Sequence, residues 1–515
     1  MTAQPDISAG PASDKLDRGV LKVAGVVVLG VVMSIVDVTV VNVALQALSQ
    51  AFKTSLDTIQ WVATGYMLAL ATVIPVTGWA CQRFGTKRLY MLSIFMFLVG
   101  SVLAGMAWNI ESLILFRVIQ GLGGGMLMPA GMTIMTQAAG PARVGRVMAV
   151  LGVPMLLGPI GGPILGGWLV DSFSWHWIFF INVPIGIVAL VLAWRVLPKD
   201  NPEGAKKFDF PGMLMLSPGV ALLIYGVSNV PSAGGFSHTK VWLPMLAGVV
   251  LIAGFVFRAL RFENPLIDLR LLKNKVFASS VITMTFFAVA FFGAMLLFPL
   301  YFILVREQSA LHAGLLLAPQ GLGAMVTMPI AGRLADKAGV RKLVLPGLGL
   351  IIVGMAIFTQ IEADTNYWQI MGTLFLMGLG MGFTMMPIMT AALQTLTHKD
   401  VPNASTTLNI VQQTAGAIGS AIMSVILAGL LATRFGVPTE QGQLVATVAI
   451  RDPRFPTHAQ APTLATDAFA HTFTWAAILI ALCLIPAMML PWRKPAPAPS
   501  TDGDATEAPP VMLTH

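Results

Sequence analysis

Residues Gly78 to Arg88 read GWACQRFGTKR, and residues Gly332 to Lys342 read GRLADKAGVRK. Both segments place glycine at the first and eighth positions and Lys or Arg at the sixth, tenth and eleventh. Each follows an even-numbered apolar run, so both lie on the same side of a membrane. A short Gly-rich basic loop is common on the inner side of membrane proteins. A register matched across two halves exceeds that tendency and marks the chain as two copies of one helical unit.

Fourteen apolar runs surround these loops, at 22–45, 58–80, 89–108, 112–135, 147–170, 178–194, 210–229, 241–257, 277–304, 311–331, 343–360, 367–392, 403–433 and 468–491. With 515 residues, 56% of them hydrophobic and 10% charged, the chain is no soluble globular domain. Each run reads as a helix, because backbone polar groups in lipid must be satisfied within the segment. A membrane barrel would show short strands of alternating polarity, which are absent from the sequence. The polar segment before Val23 precedes an apolar stretch too long for a signal-peptide core, so that stretch is read as the first span.

The formal charge is +8, but its distribution matters more than its sum. With both termini inside, 24 of the 31 Lys and Arg residues fall on cytoplasmic segments. This positive-inside bias places the chain in the cell (inner) membrane with both termini cytoplasmic, and explains the basic excess without a nucleic-acid partner. Trp61, Trp108, Trp175, Trp177, Trp242, Trp368 and Trp492 fall near span ends, as an interfacial belt requires. Cys81 and Cys483 are too few for a disulfide framework and have no metal-ligand spacing, so no metal site or cofactor is expected.

The expected organisation is a cytoplasmic segment at 1–21, a six-helix half at 22–194, and a linker at 195–276 carrying two inserted helices and a basic segment. That basic segment, with Arg261, Arg270, Lys273 and Lys275, lies along the inner membrane surface. A second six-helix half follows at 277–491, then a tail at 492–515 whose Pro, Ala, Thr and acids read as disordered.

Within the spans only Asp37 and Arg117 lie well away from an end. A charge in hydrocarbon costs several kcal/mol and is usually paired or faces a cavity on a transport pathway. Counted from the outer ends, their depths differ by about 5 Å at 1.5 Å per residue, within reach of an Arg side chain. Two readings stay open: a permanent structural ion pair, or an acid that takes up a proton when Arg117 is distant and releases it when Arg117 is near. Glu307 and Asp467 sit near outer span ends and read as interfacial. Asp57, Asp171, Glu362 and Asp364 belong to loops, and His471 reads as interfacial.

The fifth span holds Pro154, Pro159 and Pro163, each lacking a backbone donor, and a stripe of Gly158, Gly162 and Gly166. Such a helix should kink and pack closely against a neighbour. Similar small-residue pairs occur at Gly121/Gly125, Gly378/Gly382 and Gly416/Gly419.

On these residues the chain resembles the fourteen-spanner drug:proton antiporters of the major facilitator superfamily, the EmrB/QacA type. Asp37 to Leu45, DVTVVNVAL, looks like that family's first-helix motif, with Gln46 where Pro is usual. Arg117 to Gly123, RVIQGLG, matches the fourth-helix motif. Gly152 to Gly162, GVPMLLGPIGG, looks like the antiporter motif, and Trp175 to Gly186 resembles the opening of the sixth helix. The two loop segments, with Gly78, Gln82, Arg83 and Gly85 in one and Gly332, Asp336, Gly339 and Arg341 in the other, look like its gating motif. Gln82 stands where an Asp is usual, whereas Asp336 keeps the acid that could answer a helix N-terminus.

The resemblance implies an all-α major facilitator fold, two six-helix halves plus two inserted helices, that rocks about a central cleft. It implies proton-coupled export of amphipathic or lipophilic small molecules, with Asp37 and Arg117 coupling the proton. It makes the fifth-span stripe, with Gly152, Pro154, Gly158, Pro159 and Gly162, a seal or hinge between the halves. The cavity wall would draw on Asn42, Trp61, Tyr66, Gln120, Met126, Met128, Met381, Met385, Met386, Asn409, Gln412 and Gln413. Met and aromatic groups make a deformable wall, and amides orient polar substrate groups. The absence of a GxxxxGK[ST] loop points to an ion gradient rather than ATP. A narrow exporter of an endogenous lipid, siderophore or metabolite would use the same fold. A membrane-embedded enzyme would need clustered acids or His, and the sequence shows none. Whether a periplasmic adaptor is required stays open.

Overall fold

Long apolar runs whose amides find no other partner in lipid have one regular solution, the α-helix. The computed structural model describes residues 17–54, 56–140, 143–199, 207–230, 233, 235–397 and 399–493. The expected tail and N-terminal segment fall almost wholly outside the described residues.

In chain order the helices are α1 (Arg18–Phe52), α2 (Leu56–Phe84), α3 (Thr86–Gly105), α4 (Ile110–Ala139), α5 (Val144–Ser172), α6 (Trp177–Phe180), α7 (Asn182–Val196), α8 (Phe210–Ser228), α9 (Thr239–Arg261), α10 (Lys275–Leu304), α11 (Ala310–Lys337), α12 (Arg341–Phe358), α13 (Tyr367–Gln394), α14 (Val401–Phe435), α15 (Gly442–Arg451), α16 (Ala461–Leu482) and α17 (Leu484–Ala487). Among the described residues there is no strand, and 13 segments are long and apolar enough to cross a membrane. Helix α5, with 29 residues, is the remaining one of the fourteen runs. Helices α6 and α7 together make the sixth span, and α16 with α17 the last.

The repeat in the loops extends to the packing. In the first half α1 packs on α5 and α7, α2 on α4, and α3 on α4 and α7. The second half repeats this with α10 on α14 and α16, α11 on α13, and α12 on α13 and α16. Glycine brings these backbones together. A Cβ at Gly123 would meet the Phe97 amide nitrogen at 2.5 Å, and one at Gly293 the Gly419 carbonyl at 2.6 Å.

Two boundaries differ from the apolar runs. Helix α1 starts before the apolar stretch because Asp17 caps it, accepting from Val20 N–H at 2.8 Å, and it continues past Leu45 to a left-handed residue at Lys53. Between α14 and α16 lies α15, a ten-residue helix that buries Ala446, Ala449 and Ile450 and exposes Leu444. It is too short to span a membrane and forms no long apolar run.

The inserted pair is held at its base by Asp209, a buried acid that the sequence reading passed over. Asp209 accepts from Gly212 N–H at 3.0 Å, capping α8, and from Arg258 Nε and Nη2 of α9 at 3.0 and 2.9 Å. Its other oxygen accepts from Leu266 N–H at 3.3 Å, tying down the segment after α9. Removing one partner of a buried pair strands the other charge. Arg258 keeps 28% exposure, which limits the penalty of Asp209→Ala to about 1–3 kcal/mol. Thermal unfolding in detergent should show that loss, and an unaltered transition would mean the carboxylate carries no such load.

Candidate functional site

Asp37 sits mid-way along α1 and is 1% exposed. Arg117 Nη1 donates to its Oδ2 at 2.6 Å; Gln120 Nε2 and Asn182 Nδ2 donate to its Oδ1 at 2.9 and 3.0 Å. Arg117 Nη1 also donates to Gln120 Oε1 at 2.6 Å, which turns the amide so that its NH2 faces the carboxylate. Ser101 Oγ accepts from both amides, at 3.2 and 3.1 Å. Asn182 follows an interruption in the hydrogen bonding of the sixth span at Ile181, whose backbone stays helical: Pro184 cannot donate to Phe180, four residues back. All three partners of Asp37 are N–H donors. Among the described residues the cage therefore fits a carboxylate and offers no hydrogen-bond acceptor to a carboxylic acid O–H.

Arg117 is held from several sides. Its Nε donates to Val62 O at 3.2 Å, and the rings of Tyr66 and Phe179 lie 4.2 and 5.8 Å from its Cζ. The Tyr66 hydroxyl pairs with Ser34 Oγ at 3.1 Å, and Ser34 faces a central cavity of about 740 Å³. Gly124 lines the same wall; a Cβ there would meet the Tyr66 hydroxyl at 2.5 Å. One residue thickness thus separates the cavity from the side chain that covers Arg117.

Helices α1, α2, α4, α8, α10 and α14 form the cavity. Asn409, Gln412, Gln413 and Ser420 give it polar groups, while Met67, Met128 and Met295 give it deformable apolar surface. No Asp, Glu, Lys, Arg or His lines it among the described residues.

Several residues expected on the wall lie elsewhere. Gln120 and Tyr66 are buried behind it, in the Asp37 cage and beneath Arg117. Met126, Met381, Met385 and Met386 are packed into the core. Trp61 is 41% exposed and stacks on Tyr225 of α8 with centroids 5.8 Å apart, and Asn42 is exposed one turn beyond Thr39. Each is on a helix that borders the cavity or the core beside it, but sequence alone did not fix which face turns inward. Glu307 is exposed, and Asp467 pairs loosely with Arg434 at 3.9 Å.

The halves meet at the face that carries the basic loops. There Asp336 Oδ1 accepts from Gly145 N–H in the first turn of α5 at 2.8 Å and from Gln394 Nε2 at 3.0 Å. Arg146 Nε is 3.6 Å from its Oδ2. The acid thus sits at the positive end of a helix in the other half. Gln82, at the matching loop position, donates through Nε2 to Lys399 O at 3.0 Å, just before α14. The acid at that helix start is Asp400, whose carboxylate accepts from Thr397 Oγ1 at 2.7 Å. The first glycine of each loop permits the contact: a Cβ at Gly78 would meet Asn403 Oδ1 at 2.8 Å, and one at Gly332 the Gly145 carbonyl at 2.5 Å.

The eighth-position glycines differ in use. Gly85 takes φ +93° before α3, whereas Gly339 leaves room for the Trp492 carbonyl, and Arg341 lies 5.4 Å from the Trp492 ring. Arg83 is exposed. In α5, Gly152 meets Met328 and Met386 of the second half, but Gly158 and Gly162 face Ile35 and Thr39 of α1 in their own half. The side chains at Pro154, Pro159 and Pro163 lie outside the described residues.

Two repeated six-helix units around a central cavity closed at one face define a membrane transporter of the alternating-access kind. The family model described as Major Facilitator Superfamily matches residues 27–424, and the chain belongs to that superfamily. It is 46% identical over 495 residues to a multidrug resistance protein B homolog of Mycobacterium tuberculosis strain H37Rv, covering 93% of this chain and 92% of the relative. It is 30% identical to the multidrug export protein EmrB of Haemophilus influenzae, over 76% of this chain and 78% of that one. The human organic anion transporter MFSD10 shares the fold, with a TM-score of 0.60 at 13% identity, over 90% of this chain and all of that one.

Tyr66→Phe keeps the ring over Arg117 and removes the bond to Ser34, worth about 1 kcal/mol, whereas Tyr66→Leu removes both. A pH profile of transport should shift little for the first variant and distinctly more for the second; equal profiles would deny the ring any part in holding Arg117. At the closed face, Asp336→Asn should open the halves more than Gln82→Ala, because only the former removes a charge from a helix terminus. Distances between spin labels on α5 and α11 would show it, and equal, negligible shifts would reduce the two loops to ordinary packing.

Proposed function

We propose that this transporter exports neutral or singly charged lipophilic compounds from the cytoplasm in exchange for protons, with Asp37 carrying the proton and Arg117 as its counter-charge. The observation that carries the reading is the all-donor cage around Asp37. In the conformation closed at the basic face the acid fits only as a carboxylate, so taking up a proton must accompany separation from Arg117. Proton binding and rearrangement of α1 against α4 are then one event.

The basic face is taken as cytoplasmic, because 24 of 31 Lys and Arg residues fall on that side. This puts both termini inside and makes the conformation closed to the cytoplasm. Export of drugs is supported by the names of the relatives, two of which are called multidrug resistance or multidrug export proteins. Preference for low substrate charge is supported by the cavity wall, which offers amides and hydroxyls but no carboxylate among the described residues. A second positive charge on a substrate would be buried without a partner. Transport rather than catalysis is supported by the superfamily and by the relatives' names.

Asp37→Asn should retain membrane insertion and abolish efflux driven by a pH gradient in proteoliposomes. Active efflux at the wild-type rate would sink the coupling role. Arg117→Ala removes the counter-charge that meets Asp37 at 2.6 Å, so efflux driven by a pH gradient should fall while the protein stays in the membrane. Loss of folding in that variant, with full gradient-driven efflux in Arg117→Lys, would instead support a structural ion pair. Competition by a panel of neutral, monocationic and dicationic lipophiles separates broad export from transport of one metabolite: broad inhibition with dications weakest is expected.

A further inference from the structure

We propose that the inserted helix α8 is a wall of the substrate pathway and that Ile224, Val227 and Ser228 select substrates by size, an inference that rests on the export reading above. These three residues line the central cavity. Their spacing of three and four places them on one helical face. The insertion is therefore not a spacer hung outside the two halves.

Packing explains how α8 comes to the cavity. On one flank, Leu216, Val220 and Ile224 cluster with Ala71 of α2, and Tyr225 stacks on Trp61. On the other, Val227 and Val230 cluster with Ala421 and Ala417 of α14. Helix α8 thus bridges the two halves at the side where α2 and α14 border the cavity. Helix α9 lies behind it, joined by the close Gly219–Gly248 contact, with Leu246, Val249 and Val250 exposed. The polar anchor of the pair, Asp209 with Arg258, is within the insertion. Where α8 meets the halves the clustered contacts are apolar, a surface that can shear without breaking polar bonds as the halves rock.

The stiffness of this wall gives it selectivity. Met67, Met128 and Met295 on α2, α4 and α10 can rearrange around many shapes. Ile224 and Val227 are β-branched and have one strongly favoured rotamer in a helix. A bulky guest is therefore accommodated by the methionines and limited by α8, while Ser228 offers a hydroxyl at the end of the helix.

The test uses the full-length protein in proteoliposomes, with rhodamine 6G and tetraphenylphosphonium as larger and smaller monocationic probes. Ser228→Cys is expected to react with a charged methanethiosulfonate reagent and to be protected by rhodamine 6G. Val249→Cys on the outer helix should react only with a lipid-soluble maleimide; the native Cys81 and Cys483 are buried and give little background. Val227→Trp should raise the KM ratio of rhodamine 6G to tetraphenylphosphonium about tenfold, and Val227→Ala should lower it, within the range set by small changes in pocket volume. Failure of the charged reagent to reach position 228, or an unmoved KM ratio in both Val227 variants, overturns the wall. If the wild-type protein moves neither probe, the export reading loses its support for this class of compound, and the labelling result alone decides whether α8 lines the cavity.

Discussion

A carboxylate in the dry middle of a helical bundle is tolerated only when its charge is answered, and Asp37 is answered entirely by N–H groups. That constraint reaches well beyond one side chain. It requires α1, α4 and α7 to converge within hydrogen-bond distance, Asn182 to face inward at the start of α7, and Gln120 to be oriented by Arg117. Tyr66 and Ser34 then carry the same arrangement to the cavity wall. Every contact in the cage donates to the carboxylate, and the donors are themselves tied together through Gln120 and Ser101, so the group is held as one network.

The two ends of the repeat are alike in geometry and unlike in charge. Each loop sets its first glycine against the opening turn of a helix in the opposite half. At α5 the acid arrives from across the interface as Asp336, while at α14 it belongs to the helix itself as Asp400, and Gln82 supplies only a hydrogen bond to Lys399. Closure at α5 therefore gains a charge–dipole attraction that vanishes when the halves part. At α14 the charge stays with its helix in either state, and the interface there depends on fit.

The sequence displayed the long helical runs, the repeat and the buried pair, because each depends on composition, register or isolation of charge along the chain. It was weaker where the answer depended on which way a helix face turns. Tyr66 and Gln120 are on the expected helices but face the ion pair, while Asn409, Gln412 and Gln413 face the cavity. Asn182 gave no signal as an isolated amide at a span end. Asp209 carries no mark in the sequence beyond preceding a span, and only the folded chain brings Arg258 and Leu266 to it. The inserted helices looked like an addition to the fold because their apolar runs carry no polar mark of a binding surface.

A cavity whose described lining carries no fixed charge leaves the charge of the cargo to determine how membrane voltage enters the cycle. If one proton is exchanged for one neutral compound, a single positive charge moves inward per turnover, and both the pH gradient and the membrane potential contribute, the latter by about 2.3 kcal/mol per 100 mV. A singly charged cation leaving in the same exchange cancels that movement, and the pH gradient alone remains. The protein would then be a voltage-dependent pump for one group of compounds and a voltage-blind one for another, with the difference set by the cargo and not by the wall around it.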